Sequence, residues 1–194
     1  MLRYLLVSLA VLLAGVLAGC GLSPQYLQPE PRFTGQLVTV GKGQLVTVQV
    51  SDARPTTVIG TRGGLYADSS AIRVNKDAFL PRLQAETDAA VRMMGFTPMP
   101  KGADNAQFNL KLVQLSYSAL EKNAFSKEAQ LEAVYSLEVS NAGRRYSGRY
   151  AATLKQGYVK APSEQVNNQW VSEVLSEGLR RVFKDPAIAQ LLAE

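Results

Sequence analysis

Asn75 to Pro98 reads NKDAFLPRLQAETDAAVRMMGFTP, and its periodicity decides what its neighbours must do. At 100° per residue, Phe79, Leu80, Leu83, Thr87, Ala90, Val91 and Met94 share an arc of about 120°, the apolar stripe of an amphipathic helix. Asn75 or Asp77 can cap its start, which leaves Pro81 near the first turn, where a missing N–H matters least. Gly95 suits the left-handed position after the last turn, Phe96 the hydrophobic follower and Pro98 the stop. A helix with one apolar stripe has to lay it on another layer.

The flanking segments supply that layer. Upstream, GQLVTV occurs at Gly35–Val40 and again at Gly43–Val48, with Gly41-Lys42-Gly43 suited to a turn. The repeat reads either as a hairpin or as one strand, Leu45 to Val50, preceded by an extended edge segment. Downstream, Phe108 to Tyr117 reads as a strand with Phe108, Leu110 and Leu112 on one face. Glu132–Val139 and Arg144–Leu154 make two more, joined by Ser140-Asn141-Ala142-Gly143, with Gly where a hairpin needs positive φ. Pro162 and Ser163 introduce a second helix with the stripe Val171, Val174, Leu175, Gly178, Leu179 and Val182. Asp185-Pro186 restarts a short helix through Ile188, Leu191 and Leu192. The order β-α-β-β-β-α predicts an α+β two-layer sandwich: a mainly antiparallel four-stranded sheet with two helices on one face. A right-handed crossover would carry the first strand through helix one to the second.

The first 19 residues read as a secretory signal to be cleaved. Arg3 supplies the positive charge, Leu5 to Leu17 the apolar run, and small residues close it. Leu17-Ala18-Gly19-Cys20 resembles the bacterial lipobox, in which the cysteine thiol is lipidated with diacylglycerol and becomes the new N-terminus. Cys20 is the one cysteine of the 194 residues, so a lipidated chain has no thiol for a disulfide. Two or three acyl chains exceed what stable anchoring requires. The sorting rule for such lipoproteins reads Gly21, rather than aspartate, as outer-membrane placement, with the domain facing the periplasm. Residues 20–32, GLSPQYLQPEPR after the cysteine, carry three prolines and read as a tether of roughly 40 Å at full extension. Residues 33–194 then form a single domain.

Composition narrows function further. Lys and Arg total 21 against 16 Asp and Glu, a net charge of +5; cleavage removes Arg3 alone among charged residues and leaves +4. So mild a balance does not suggest nucleic acid. The chain has no histidine, which removes His-based triads, His general bases and most zinc sites. Glu128, Glu132 and Glu138 lie on or beside one strand without defining a cleft, so no catalytic residue, metal ligand or cofactor is assigned. Asp52, Arg54, Gly60 and Arg62 follow the first strand. They read either as a partner-binding loop whose arginines grip an acidic group, or as an Asp52–Arg54 pair fixing a turn before Pro55. Trp170 falls outside the stripe of its helix, beside Glu173 and Glu177, as an interface anchor or as packing beneath a loop. Arg144, Arg145, Arg149, Lys155 and Lys160 make the last strand basic, suited to anionic headgroups, to an acidic partner or to a solvated edge.

Four segments together resemble the YajG family of bacterial envelope lipoproteins over nearly the whole chain. They are the lipobox at Leu17–Cys20, VSDARPTTVIGTRG at Val50–Gly63, the MMGF helix end at Met93–Phe96, and VSEVLSEGLRRVFKDPAI at Val171–Ile188. The resemblance implies a membrane-anchored envelope lipoprotein and no established molecular activity. The expectation is a non-catalytic module that binds an envelope protein or supports assembly; the alternative is a carrier or sensor of lipid or cell-wall fragments.

Overall fold

Long runs of alternating side chains build the centre of the molecule, and short irregular segments complete it. The computed structural model describes residues 23–63, 68–102, 105–123 and 125–194. Among these, in chain order, are β1 (Gln25–Leu27), β2 (Leu45–Asp52), β3 (Val58–Thr61), β4 (Ala71–Val74), α1 (Leu80–Met93) and β5 (Thr97–Met99). After them come β6 (Ala106–Asn123), β7 (Ser126–Asn141), β8 (Arg144–Tyr158), α2 (Glu164–Phe183) and α3 (Pro186–Leu192). The residues read as a signal, and Leu17 to Cys20 read as a lipobox, lie outside the described residues.

β6, β7 and β8 form an antiparallel meander. Phe108, Leu110 and Leu112 stand opposite Val139, Leu137 and Tyr135 on one face. A bulge between Leu112 and Gln114 shifts the alternation by one, so Leu115 and Tyr117 point back into the same core. The free edge of β6 is shared. β2 lies parallel to its first half, from Val46↔Ala106 to Asp52↔Leu112, and β3 meets it at Gly60↔Tyr117. β5 extends the sheet beyond β2, while β4 and then β1 extend it beyond β3. The stripe of α2 is buried against the meander, and the Tyr135 hydroxyl donates to the Leu175 carbonyl at 3.1 Å.

The expected four-stranded, mainly antiparallel sheet with two helices is therefore corrected to an eight-stranded mixed sheet with three α-helices among the described residues. β1, β3, β4 and β5 have only three or four residues each, too few for a period of two to show. Partners far along the chain hold them in place. The GQLVTV repeat makes one strand, β2. Its first copy runs as an extended strap, with the Val40 and Gly41 amides donating to Met94 O and Gly43 N to Gly95 O. The stretch read as a tether is also corrected. Gln25–Leu27 pairs in parallel with Ile72–Val74, and Leu27 is buried. Beyond it the Glu30 and Arg32 amides donate to the Ser172 and Ser176 hydroxyls of α2, each at 2.9 Å.

Helix signals near the ends hold with small shifts. α1 begins at Leu80 behind Phe79, while Asn75 and Asp77 belong to a preceding 3-10 turn and Asn75 makes no side-chain cap. Gly95 takes φ +89° as its position requires. Ser163 accepts from Val166 N at the start of α2, and Asp185 from Ala187 N at the start of α3.

Candidate functional site

Strand ends and the covered face position the residues singled out from the sequence, and they separate rather than converge. At the end of β2, Arg54 grips Asp52 through Nε to Oδ1 and Nη2 to Oδ2, both at 2.8 Å. Nη2 also donates to the Val74 carbonyl at 2.9 Å, and the guanidinium sits 5.2 Å from the centre of the Phe79 ring. The two side chains are 2% and 9% exposed, so the fork that would grip an acidic ligand is already filled by Asp52. The pair ties the turn after β2 to β4 and to the entry of α1.

Gly60 and Arg62 serve a second junction. A Cβ at Gly60 would stand 1.9 Å from the Tyr117 carbonyl, so glycine is what lets β3 approach β6. Arg62 leaves the end of β3 and donates to Ser23 O at 3.1 Å and Pro162 O at 3.2 Å. Gln25 donates to the same Pro162 carbonyl and accepts from Asn167 Nδ2 at 2.7 Å, all within a buried polar knot. Arg62 thus clasps the incoming N-terminal segment to the β8–α2 connection. Trp170 is half-buried on that side, its ring 6.4 Å from that of Tyr158.

The meander's second face carries no helix. On it β8 shows Arg145, Ser147, Arg149, Thr153 and Lys155, all exposed. Arg145, Arg149 and Lys155 have no ion pair among the described residues, whereas Arg144 pairs with Glu194. Glu132 accepts from Gln114 at 2.8 Å and Glu138 lies 3.7 Å from Lys111, so these carboxylates belong to cross-strand pairs. β8 pairs only with β7, so its other edge is open; Arg181 reaches over it to the Ala151 carbonyl at 2.7 Å. The edge of β2 is treated differently. There Gln84 of α1 accepts from Val50 N at 2.9 Å and donates to Val48 O at 3.3 Å, filling the place of a strand.

One titratable cluster was not foreseen. Tyr146 and Tyr150 of β8 both donate to Asp185 Oδ2, at 2.5 and 2.6 Å. Burial alone would raise the Asp185 carboxyl, but the two hydroxyls and the Ala187 amide outweigh it and hold it below the usual range. Burial first, then the bond to Asp185, pushes the Tyr150 hydroxyl well up. The cluster clamps the α2–α3 junction onto β8. Its signal in the sequence is two tyrosines four apart, on one face of a strand. Ser172 and Ser176 were missed likewise, although their spacing puts both hydroxyls on one side of α2. Among the described residues, no group of three or more His, Cys, Asp or Glu is placed to hold a metal ion, and no helix is long and apolar enough to cross a membrane.

The described residues thus form a mixed sheet with helices on one face, in which Asp52, Arg54, Arg62 and Asp185 are engaged in holding the fold. Residues 31–193 match the model of the family described as uncharacterized lipoprotein, Lipoprotein_16, and the chain belongs to it. This agrees with the YajG-like resemblance. A comparison with curated proteins finds no match. Similar solved structures include protein XCC0632 from Xanthomonas campestris, at 10% identity and TM-score 0.47 over 88% of this chain and 96% of that one. Another is rare lipoprotein B from Shewanella oneidensis, at 11% identity and TM-score 0.42 over 75% of this chain and 96% of that one. A third is a minor lipoprotein from Acinetobacter baumannii, at 10% identity and TM-score 0.38 over 77% of this chain and 91% of that one.

Proposed function

We propose that the protein is a non-catalytic binding module, lipidated at Cys20, anchored in the outer membrane and facing the periplasm, which docks an envelope protein on the open side of β8. One observation carries the docking surface. β8 has fifteen residues, roughly three times a typical strand, yet leaves one edge unpaired and presents Arg145, Arg149 and Lys155 without ion pairs among the described residues. A partner with an acidic face, or a strand of its own, would satisfy both the edge and the charges. The lipobox and Gly21 support the anchor and its address. Photo-crosslinking residues placed at Arg149 and Thr153 in intact cells, with the exposed Arg82 on α1 as control, test the reading by mass spectrometry. The expected result is one envelope protein enriched at the two β8 positions over the control and over an unrelated lipoprotein; no enrichment overturns it.

A second reading rests on a separate feature. An apolar groove of about 520 Å³ runs between the strap and the α2–α3 junction, lined by Leu37, Val38, Val40, Met94, Phe183 and Pro186 among others. Its size and lining suit an acyl chain or the apolar part of a cell-wall fragment. Native mass spectrometry of protein purified from the envelope should then show a bound small molecule, and bare protein alone would count against it.

A further inference from the structure

We propose that the β6–β7 hairpin tip is a membrane-contacting foot, which rests on the bilayer that holds the lipid anchor and so sets the orientation of the domain. The inference rests on lipidation at Cys20, as proposed above. Strand register shows which end of the domain faces the anchor. Ser23, the first described residue, is tied through Arg62 to Pro162, just after β8. The end of β8 lies level with the start of β7, Tyr158 opposite Lys127, and β6 reaches the same level at Glu121, opposite Lys127. The chain therefore enters the domain at the end where the hairpin tip projects. Cys20 precedes Ser23 by three residues, which limits their Cα separation to about 11 Å. A bilayer holding acyl chains on Cys20 has to lie beside this end.

The surface there suits a lipid interface. Phe125 at the tip is 85% exposed and Val159, just past β8, is 82% exposed; Leu120 is about half exposed. Asn123 Oδ1 accepts from the Phe125 and Ser126 amides at 2.9 and 2.8 Å, holding the turn without any help from the Phe125 ring. The turn therefore gives Phe125 no reason to be aromatic; an interface does. Lys122, Lys127 and Lys160 surround these apolar groups, with long stems that let each ammonium reach headgroups while the chain lies along apolar surface. Glu128 and Glu121 pair with Lys122 and Lys127 at 3.6 and 3.5 Å, so apolar contact rather than net charge dominates. Leu45 is exposed too, but it starts β2 beside the beginning of β6, at the end of the sheet away from the tip.

Because lipid occupies Cys20, an added cysteine is a unique labelling site. The full lipidated protein, carrying an environment-sensitive fluorophore at F125C, V159C or L45C, is reconstituted into phosphatidylethanolamine–phosphatidylglycerol vesicles and checked by flotation. Labels at 125 and 159 should brighten at least twofold relative to detergent-free soluble domain, shift to the blue and be quenched by spin-labelled lipid, while the label at 45 does none of these. Protein that floats with the vesicles but whose 125 and 159 labels behave like that at 45 overturns the foot and leaves the anchor standing. Protein that does not float overturns the anchor and the foot with it.

Discussion

The meander of β6, β7 and β8 and the set of strands β1 to β5, four of them short, belong to one sheet but are held by different means. In the meander each strand pairs with its chain neighbour across a tight turn, over runs of fifteen to eighteen residues. Local closure costs little entropy there, and alternation alone specifies the register. The short strands depend on partners elsewhere: Gln25 faces Ile72, Leu45 faces Thr97 and Gly60 faces Tyr117. They are fixed one contact at a time, by a buried ion pair, a glycine and an arginine clasp. Damage to a single such contact should therefore cost more than an equivalent change on the meander's surface.

The hardest test of that contrast is removal of residues 23–31. It deletes β1, uncovers Val74 and Ile72, and leaves Asn167 without Gln25. Urea unfolding of this form, against a domain beginning at Ser23, should show a loss of more than about 4 kcal/mol or no cooperative transition. Equal stability would mean that the N-terminal stretch is a tether after all. Next comes Arg54→Ala, which strands Asp52 in a site where both side chains are nearly inaccessible. The expected cost is about 3–5 kcal/mol, and combining Asp52→Asn with Arg54→Met, which removes both charges together, should recover most of it. Gly60→Ala forces a Cβ onto the Tyr117 carbonyl and should cost about 3 kcal/mol, read as a lower midpoint at unchanged slope.

Smaller effects are expected on the meander. Asp185 has a depressed carboxyl in the folded state, so its contribution is present above the ordinary carboxylate value near 3.9 and is lost as pH falls through the depressed one. Tyr150 titrates above its ordinary value, so its contribution is complete below about pH 10 and fades as pH rises beyond it. Denaturation from pH 2 to 7 should show the doubly substituted Y146F/Y150F protein losing its advantage of Asp185 pairing, with a flatter acid limb than the parent. A parallel acid limb would mean that the tyrosines do not stabilise that carboxylate. Lys111→Ala, which removes a 3.7 Å pair with Glu138 between two exposed chains, should change stability by no more than about 0.5 kcal/mol.

The two helix stripes, the Pro162-Ser163 start, the Asp185 cap, the Gly95 stop and the three long strands were legible because each is written in neighbouring residues. Periodicity and capping depend on positions one to four apart, and tertiary contacts here reinforce them. The crossover from β2 to a parallel β6 also followed from element order. The candidate cluster was legible only as residue types. Asp52 and Arg54 pair as a turn-fixing couple would, but Val74 and Phe79, which bury the guanidinium, come from elements twenty or more residues away.

What the sequence determined by itself was a one-sided helix layer over an alternating sheet, and the lipoprotein family to which the chain belongs. What only the tertiary structure decided was the sheet's second half. A three-residue strand such as Gln25–Leu27 has no period to detect, and it is a strand solely because Ile72 to Val74 offer their edge. Gly60 and Arg62 likewise acquire their roles from Tyr117, Ser23 and Pro162. Backbone pairing between distant segments takes its partner from the folded chain, and no local pattern records who that partner will be.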